Sequence, residues 1–383
     1  MTRLEEEWVT SPAATAVFDA LGEAYFVGGC VRNALLGVPV SDLDIATPLL
    51  PEEVVERLTA AGVRTVPTGI AHGTVTAVVE GTPVEITTFR ADVTTDGRRA
   101  TVAFTTVMAT DAARRDFTIN ALYADRFGTV IDPLGGQADI PERRIRFIGE
   151  AADRIREDYL RILRFFRFHA WYGADGIDPD GLAACAALAD GVETLARERV
   201  GWEIRKLLSA PDPAPAVASL SASGILARVL PGADPNALAP LVQTEGAVPV
   251  VPDWRVRLIA LGGDDPSQRL RLSRAETSFV TSVKAALASD GTVAEIAYHH
   301  GPDAARAAAL IRAATLGEMP PATLSIDAGR GAQAKFPLAA RDLIAAGLLP
   351  GPELGEALAR AEAAWIASDF SLDKAALVAE ALN

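Results

Sequence analysis

The chain has 383 residues, 49% of them hydrophobic, enough apolar sequence for several domains with substantial cores, which excludes a disordered or collagen-like protein. Two cysteines, Cys30 and Cys185, exclude a disulfide framework; no stretch approaches the roughly 18 consecutive apolar residues of a bilayer span; and Arg3, Glu5, Glu6 and Glu7 stand where a signal peptide would be apolar, so a cytoplasmic enzyme or binding protein with no membrane role is expected. The formal charge of −14 argues against indiscriminate nucleic-acid binding, yet positions 143–172 carry eight arginines against four acids, a basic stripe fit for one polyanion site.

In chain order, residues 25–27 (YFV) read as a strand entering Gly28-Gly29, followed by a helix over 30–36 that stops at Gly37. Residues 42–46 (DLDIA) alternate polar and apolar, and a helix starts at Pro51 and runs to Ala61. Residues 73–89 give two alternating runs about Glu80-Gly81, the pattern of a hairpin. Asp111 is placed to cap a helix through Ala124. From Glu150 onward the strand signal nearly vanishes and apolar residues recur every three or four positions, so the remainder is expected to be helical. Breaks at 211–216, 231–235 and 262–266 punctuate it, and the clearest boundary lies near 150. His299-His300 reads as part of a turn (299–303) without metal spacing.

Chemistry concentrates in the first half. Asp42 and Asp44, two apart on one strand, would project from one face, where two carboxylates repel unless a cation sits between them. Hard oxygen ligands suit Mg²⁺, which shares its remaining positions with water and substrate phosphates; the alternative is a solvated strand end. Gly28-Gly29 just upstream lets the backbone approach a phosphate at a helix N-terminus, and Arg32 can add charge to the same phosphate; alone, a double glycine is as often a plain turn. Together they read as a triphosphate and metal site.

VGGCVRNALLG (27–37), DLDIAT (42–47), RRDFTINALY (114–123), DPLGG (132–136) and REDYLRILRFFRF (156–168) resemble, in order, the motifs of the class II CCA tRNA nucleotidyltransferase and poly(A) polymerase family, within the DNA polymerase β-like nucleotidyltransferases. Weaker similarity continues in ERVGWEIRKLL (198–208) and at 336–355. The resemblance implies an α+β chain: a nucleotidyltransferase head (1–149), then an all-α neck (150–210), body (211–310) and tail (311–383). It implies addition of C, C and A to the 3′ end of tRNA from CTP and ATP, with Mg²⁺ on Asp42 and Asp44. A poly(A) polymerase, or an enzyme adding only CC or only A, is the nearest alternative. An RNA-binding scaffold with an inactive head is the alternative from another class.

Within that resemblance Glu85 is either a third active-site acid or an ordinary exposed strand residue, and Arg115 is a triphosphate or ribose contact, with Asp116 a simple cap or part of the same site. The loop over 90–104 resembles the family's flexible loop. Asp158 and Arg161 are implied to read the incoming base, helped by Arg164 and Arg167. The chemistry agrees: a carboxylate accepts from the exocyclic amine of cytosine or adenine and a guanidinium donates to the adjacent ring nitrogen, a pattern that uracil and guanine invert. The plain alternative is an intrahelical ion pair, as Glu157 and Arg161 would form, worth about 0.2–0.5 kcal/mol.

Overall fold

The computed structural model describes residues 2–96, 99–174 and 176–382, the side chains of 67, 68, 71 and 92–102 apart. Two compact units emerge, Met1–Ala233 and Asp234–Asn383. The expected boundary near 150 therefore falls inside the first unit.

The first unit is built on a seven-stranded sheet in the order β3-β4-β5-β2-β1-β8-β9. Its strands are β1 (Tyr25–Val27), β2 (Leu43–Thr47), β3 (Arg64–Gly69), β4 (Thr74–Val79), β5 (Thr82–Thr88), β8 (Tyr123–Ala124) and β9 (Val130–Ile131); β6 (Arg90–Asp96) and β7 (Arg99–Phe104) pair separately. All pairings are antiparallel except β2 with β5, which run parallel with Asp44 opposite Glu85. The expected hairpin forms β4 and β5, and Glu80 and Gly81 turn it with positive φ at both positions, matching the sheet twist.

Helices α1 (Pro12–Leu21), α2 (Gly29–Leu36) and α3 (Pro51–Ala60) accompany the sheet, each starting at a proline or glycine. Pro12 and Pro51 occupy the first helical turn, where a missing N–H costs nothing. Gly28 enters α2 at φ 68 and Gly37 closes it in the left-handed region, conformations that glycine adopts without steric cost. Val27, Ala46, Phe89, Ala112, Ala121, Tyr123 and Ile148 form one apolar cluster of this unit.

Three expectations need correction. The helix predicted over 111–124 is instead a short α4 (Met108–Ala113), a 3-10 turn (Thr118–Asn120) and then β8, so Asp111 lies inside a helix rather than capping one. The stretch over 90–104 forms the β6–β7 ribbon rather than a loop, with residues 97 and 98 outside the described residues. The stretch 156–168, expected to be helical like the rest of the chain from Glu150 onward, breaks into α5 (Ala151–Glu157) and α6 (Leu160–Tyr172), with Asp158 extended between them at φ −154.

Helices α7 (Pro179–Ala187) and α8 (Arg197–Leu208) follow in the same unit. The second unit is helical, as expected; one core joins Leu241, Val280, Val283, Ala308 and Leu324, and a second gathers Leu343, Ala361, Trp365 and Leu377. His299 and His300 end a helix (Val293–His300) whose stop is Gly301, a correction to the turn expected there. No helix among the described residues is long and apolar enough to cross a membrane.

Candidate active site

A cavity of about 470 Å³ opens in the first unit, lined by Gly28, Gly29, Arg32, Asp44, Glu85, Arg90, Arg114, Arg115, Asp116, Asn120, Asp158, Leu160, Arg161, Arg164, Phe168 and Arg199, among others. Seven of its residues are arginines and four are acids, so this part of an acidic chain is cationic. Such a surface suits a polyanion.

Its floor comes from the β1–α2 turn and from β2 and β5. A Cβ at Gly28 would stand 3.3 Å from Arg115 Nη1, so glycine lets the backbone and that guanidinium approach each other. Asp44 and Glu85 are register partners on parallel strands and therefore share a face. Burial, then the charge of Glu85, pushes the Asp44 carboxyl up to about 6, and Asp42 adds to the effect. Asp42 lies one residue ahead of β2, exposed and accepting from Ser41 Oγ at 2.8 Å; it does not line the cavity, so the expected strand pair becomes a strand residue beside a loop residue. Cys30 is buried, and burial pushes its thiol up to about 11, in keeping with a packing role.

The arginine wall rests on one carboxylate that the sequence misassigns. Asp111 Oδ1 accepts from Arg114 Nε at 2.8 Å and from the Arg90 backbone N–H at 3.3 Å, while Oδ2 accepts from Arg115 Nη2 at 3.0 Å and Tyr123 Oη at 2.7 Å. Burial alone would raise its pKa, but Arg115 and Arg114 hold it below its ordinary 3.8. Asp111→Asn strips a buried pair of one partner and is expected to cost about 3–5 kcal/mol at pH 7, measured by urea unfolding. A carboxyl with a depressed folded pKa contributes fully above its unfolded value and loses that contribution as pH falls through the folded one, so the difference from wild type should narrow below about pH 4. Equal stability at pH 7 would contradict this role.

Arg32 lines the cavity without being free to swing: it donates to Asn33 Oδ1 (3.1 and 2.8 Å), Asn120 Oδ1 (2.5 Å) and Tyr172 Oη (2.8 Å), and lies 4.1 Å from the Tyr172 ring centroid. Asn120 in turn donates to Asp116 at 2.9 Å, and Asp116 accepts from Arg164 Nε at 2.7 Å. Asp116 is thus a buried junction between α2 and α6 rather than a helix cap; burial pushes its pKa up, but Arg164 beside it outweighs that and holds it low.

At the other end Asp158 Oδ1 accepts from the Leu160 N–H at 3.1 Å, and Oδ2 from Arg199 Nη2 at 2.7 Å. Arg161 donates to Glu157 Oε2 at 2.5 Å and to the Arg154 carbonyl at 2.7 Å. The plain Glu157–Arg161 ion pair therefore exists. Arg167 is set apart from the other expected nucleotide contacts: it is buried, donates to Glu203 at 2.5 Å, lies 4.4 Å from the Phe168 ring and does not line the cavity.

A family profile described as "Poly A polymerase head domain" matches residues 24–146, and one described as "Probable RNA and SrmB- binding site of polymerase A" matches 176–236. The solved Bacillus stearothermophilus CCA-adding enzyme, in complex with CTP, is 31% identical with a TM-score of 0.75, covering 94% of either chain. The chain belongs to this family of CCA-adding enzymes and poly(A) polymerases. The CCA-adding enzyme of Geobacillus thermodenitrificans is 45% identical over 212 residues, 55% of this chain and 51% of that protein. The mitochondrial CCA tRNA nucleotidyltransferase 1 of Homo sapiens is 44% identical over 192 residues, 49% of this chain and 44% of that protein. The chain thus matches about half the length of these curated relatives. The Thermotoga maritima CCA-adding enzyme complexed with tRNA, at 20% identity and a TM-score of 0.69, shares the fold.

Within the family frame the cavity assembles Gly28, Gly29, Arg32, Asp44, Glu85, Arg115, Asp158, Arg161 and Arg164 from the residues singled out in the sequence. It adds Arg90, Arg114, Asn120 and Arg199, which sequence reasoning missed. Arg114 sits in RRDFTIN and Arg199 in ERVGWEIRKLL, both stretches that already carried the resemblance, so a search for arginines within those motifs would have found them.

Proposed function

We propose that the chain adds C, C and A to the 3′ end of tRNA, using CTP and ATP and releasing pyrophosphate. The observation that carries this reading is one cationic cavity lined both by Asp44 and its register partner Glu85 and by Asp158 and Arg161. A poly(A) polymerase would share the first end; a protein base reader suits an enzyme that must choose C and A without a template. Relatives that are crystallised with CTP or named for CCA addition support the same reading.

In this reading residues 1–149 are the catalytic head, 150–210 the neck that reads the base, and 211–310 and 311–383 a body and tail that hold tRNA, in the cytoplasm. The Gly28-Gly29 backbone, Arg32 and Arg115 bind the triphosphate, while Arg164, paired to Asp116, supports the base end. The RNA 3′-hydroxyl attacks the α-phosphate in line with the departing pyrophosphate. Asp42 and Asp44, with Glu85 as a further oxygen donor, fit a hard divalent cation by the chemistry of their donors: Glu85 is the register partner of Asp44, and burial together with the charges of Glu85 and Asp42 raises the Asp44 pKa. Mg²⁺ takes much of its shell from water and substrate phosphates, so few protein carboxylates suffice to hold it. When bound, Mg²⁺ supplies electrostatic stabilisation of the attacking and leaving oxygens. Above its pKa of about 6 Asp44 is mainly ionised and able to serve as a ligand. Extension of a tRNA that lacks CCA tests the reading.

A further inference from the structure

Large aromatic side chains lead from the cavity wall to the surface of the first unit. Phe168 lines the cavity, Tyr172 packs against it with ring centroids 5.6 Å apart, and Trp171 follows at 6.5 Å from Tyr172. On α8, the Trp202 ring lies 5.5 Å from the Arg167 guanidinium, which itself lies 4.4 Å from the Phe168 ring. Trp171 and Trp202 are 36% and 47% exposed. Lys206 links them: its carbonyl accepts from Trp171 Nε1 at 2.7 Å, and its ammonium stands 4.7 Å from the Trp202 ring centroid. Tryptophan is highly buried on average, so two exposed indoles bracketing one lysine mark a surface that a partner would cover.

Charge says which partner. Helix α8 carries Arg197, Arg199, Arg205 and Lys206 against Glu198 and Glu203, and Glu203 is buried against Arg167, so its surface is cationic in a chain of net charge −14. Arg199, Trp202 and Lys206 stand at i, i+3 and i+7 and follow one face of the helix over about 10 Å. Arg199 lines the cavity, so this face starts at the cavity. Flat rings set among cations suit single-stranded RNA, whose bases stack and whose phosphates seek positive charge. We propose that Trp202, with Trp171 and Lys206, is a stacking platform for the single-stranded 3′ end of the RNA primer. The bases lie against the indole rings, and Lys206, exposed on a flexible stem, turns its ammonium from the Trp202 ring to a backbone phosphate. The proposal rests on the CCA-adding reading, in which an RNA 3′-hydroxyl enters this cavity.

The experiment measures the Kd and KM of a tRNA transcript lacking CCA, and the KM of CTP, for wild type, Trp202→Ala and Trp202→Tyr. Trp202→Ala is expected to raise the tRNA Kd and KM roughly tenfold, the scale of one lost base stack, with the KM for CTP little changed. Trp202→Tyr keeps a flat ring and should recover most of that loss. Unchanged tRNA affinity in Trp202→Ala, equal weakening by alanine and tyrosine, or a CTP KM that rises as far as the tRNA KM overturns the proposal. A Trp202→Ala protein that binds tRNA like wild type but loses self-association in sedimentation also overturns it, and assigns the face to a protein contact.

Lys206→Ala provides the second variant, at an exposed side chain whose removal leaves the apolar core intact. Losing one phosphate contact to a single strand should make the slope of log Kd against log salt shallower by about 0.7. An unchanged slope overturns the proposal whether or not the Trp202 variants fold. If the wild-type protein adds neither C nor A, the functional reading itself fails and takes the proposal with it. Wild-type addition with unchanged tRNA affinity in the variants sinks the platform alone.

Discussion

Asp44→Asn is expected to abolish addition of both C and A, lowering kcat by roughly 10²–10³-fold or more, while tRNA affinity stays within a few-fold of wild type. The carboxylate sits beside Glu85 on adjacent parallel strands, where burial and like charge already raise its pKa to about 6. Asparagine keeps the shape and removes the charge that a divalent cation requires. Asp42→Asn should act in the same direction, since the proposed cation site draws on both carboxylates. Primer extension with CTP and with ATP, beside a tRNA gel-shift, measures both quantities. Loss of A addition with C addition intact would mean that the two reactions do not share this carboxylate.

Asp158→Ala is the second large effect. In the proposed reading the ionised carboxylate offers acceptors only, so its removal would leave the amine of cytosine or adenine without its partner and lift the penalty on the carbonyl of uracil or guanine. Each unsatisfied polar group costs about 1–3 kcal/mol, which sets the expected loss of CTP-over-UTP preference at roughly 10- to 100-fold. The proposed triphosphate contacts are Gly28, Gly29, Arg32 and Arg115, so inorganic triphosphate should inhibit as before. Equal losses for all four nucleotides would reduce Asp158 to the cap of Leu160 and the partner of Arg199.

What was legible in the sequence was what local backbone chemistry decides. Gly28-Gly29 and Gly37 bound α2 because the chain there needs left-handed or tight conformations, and Glu80-Gly81 turns the hairpin for the same reason. The second half showed its helices through their spacing. Asp111 was misread because an acid ahead of an apolar run looks like a cap, whereas its partners Arg90 and Tyr123 come from other elements. The break at Asp158 was hidden by helical periodicity that runs across it; an aspartate that caps the Leu160 N–H can end one helix and open the next without disturbing the apolar pattern.

Charge pairing was the least legible level. Arg199 reaches a carboxylate 41 positions earlier, and Arg164 one 48 positions earlier, distances at which spacing carries no signal. Arg167 shows the converse: its position in an arginine-rich motif suggested the nucleotide, but its side chain turns inward to Glu203 and Phe168. Motif order located the cavity, and only the fold separated the arginines that line it from Arg167, which does not.

The most direct test takes a tRNA transcript ending just before CCA and an unstructured oligonucleotide, incubates each with the protein, Mg²⁺ and CTP plus ATP or ATP alone, and sequences the 3′ ends. The tRNA should gain C, C and A and then stop, and the oligonucleotide should be a poor primer. A long homopolymer of A on the oligonucleotide with ATP alone would contradict CCA addition and assign the cavity to a poly(A) polymerase.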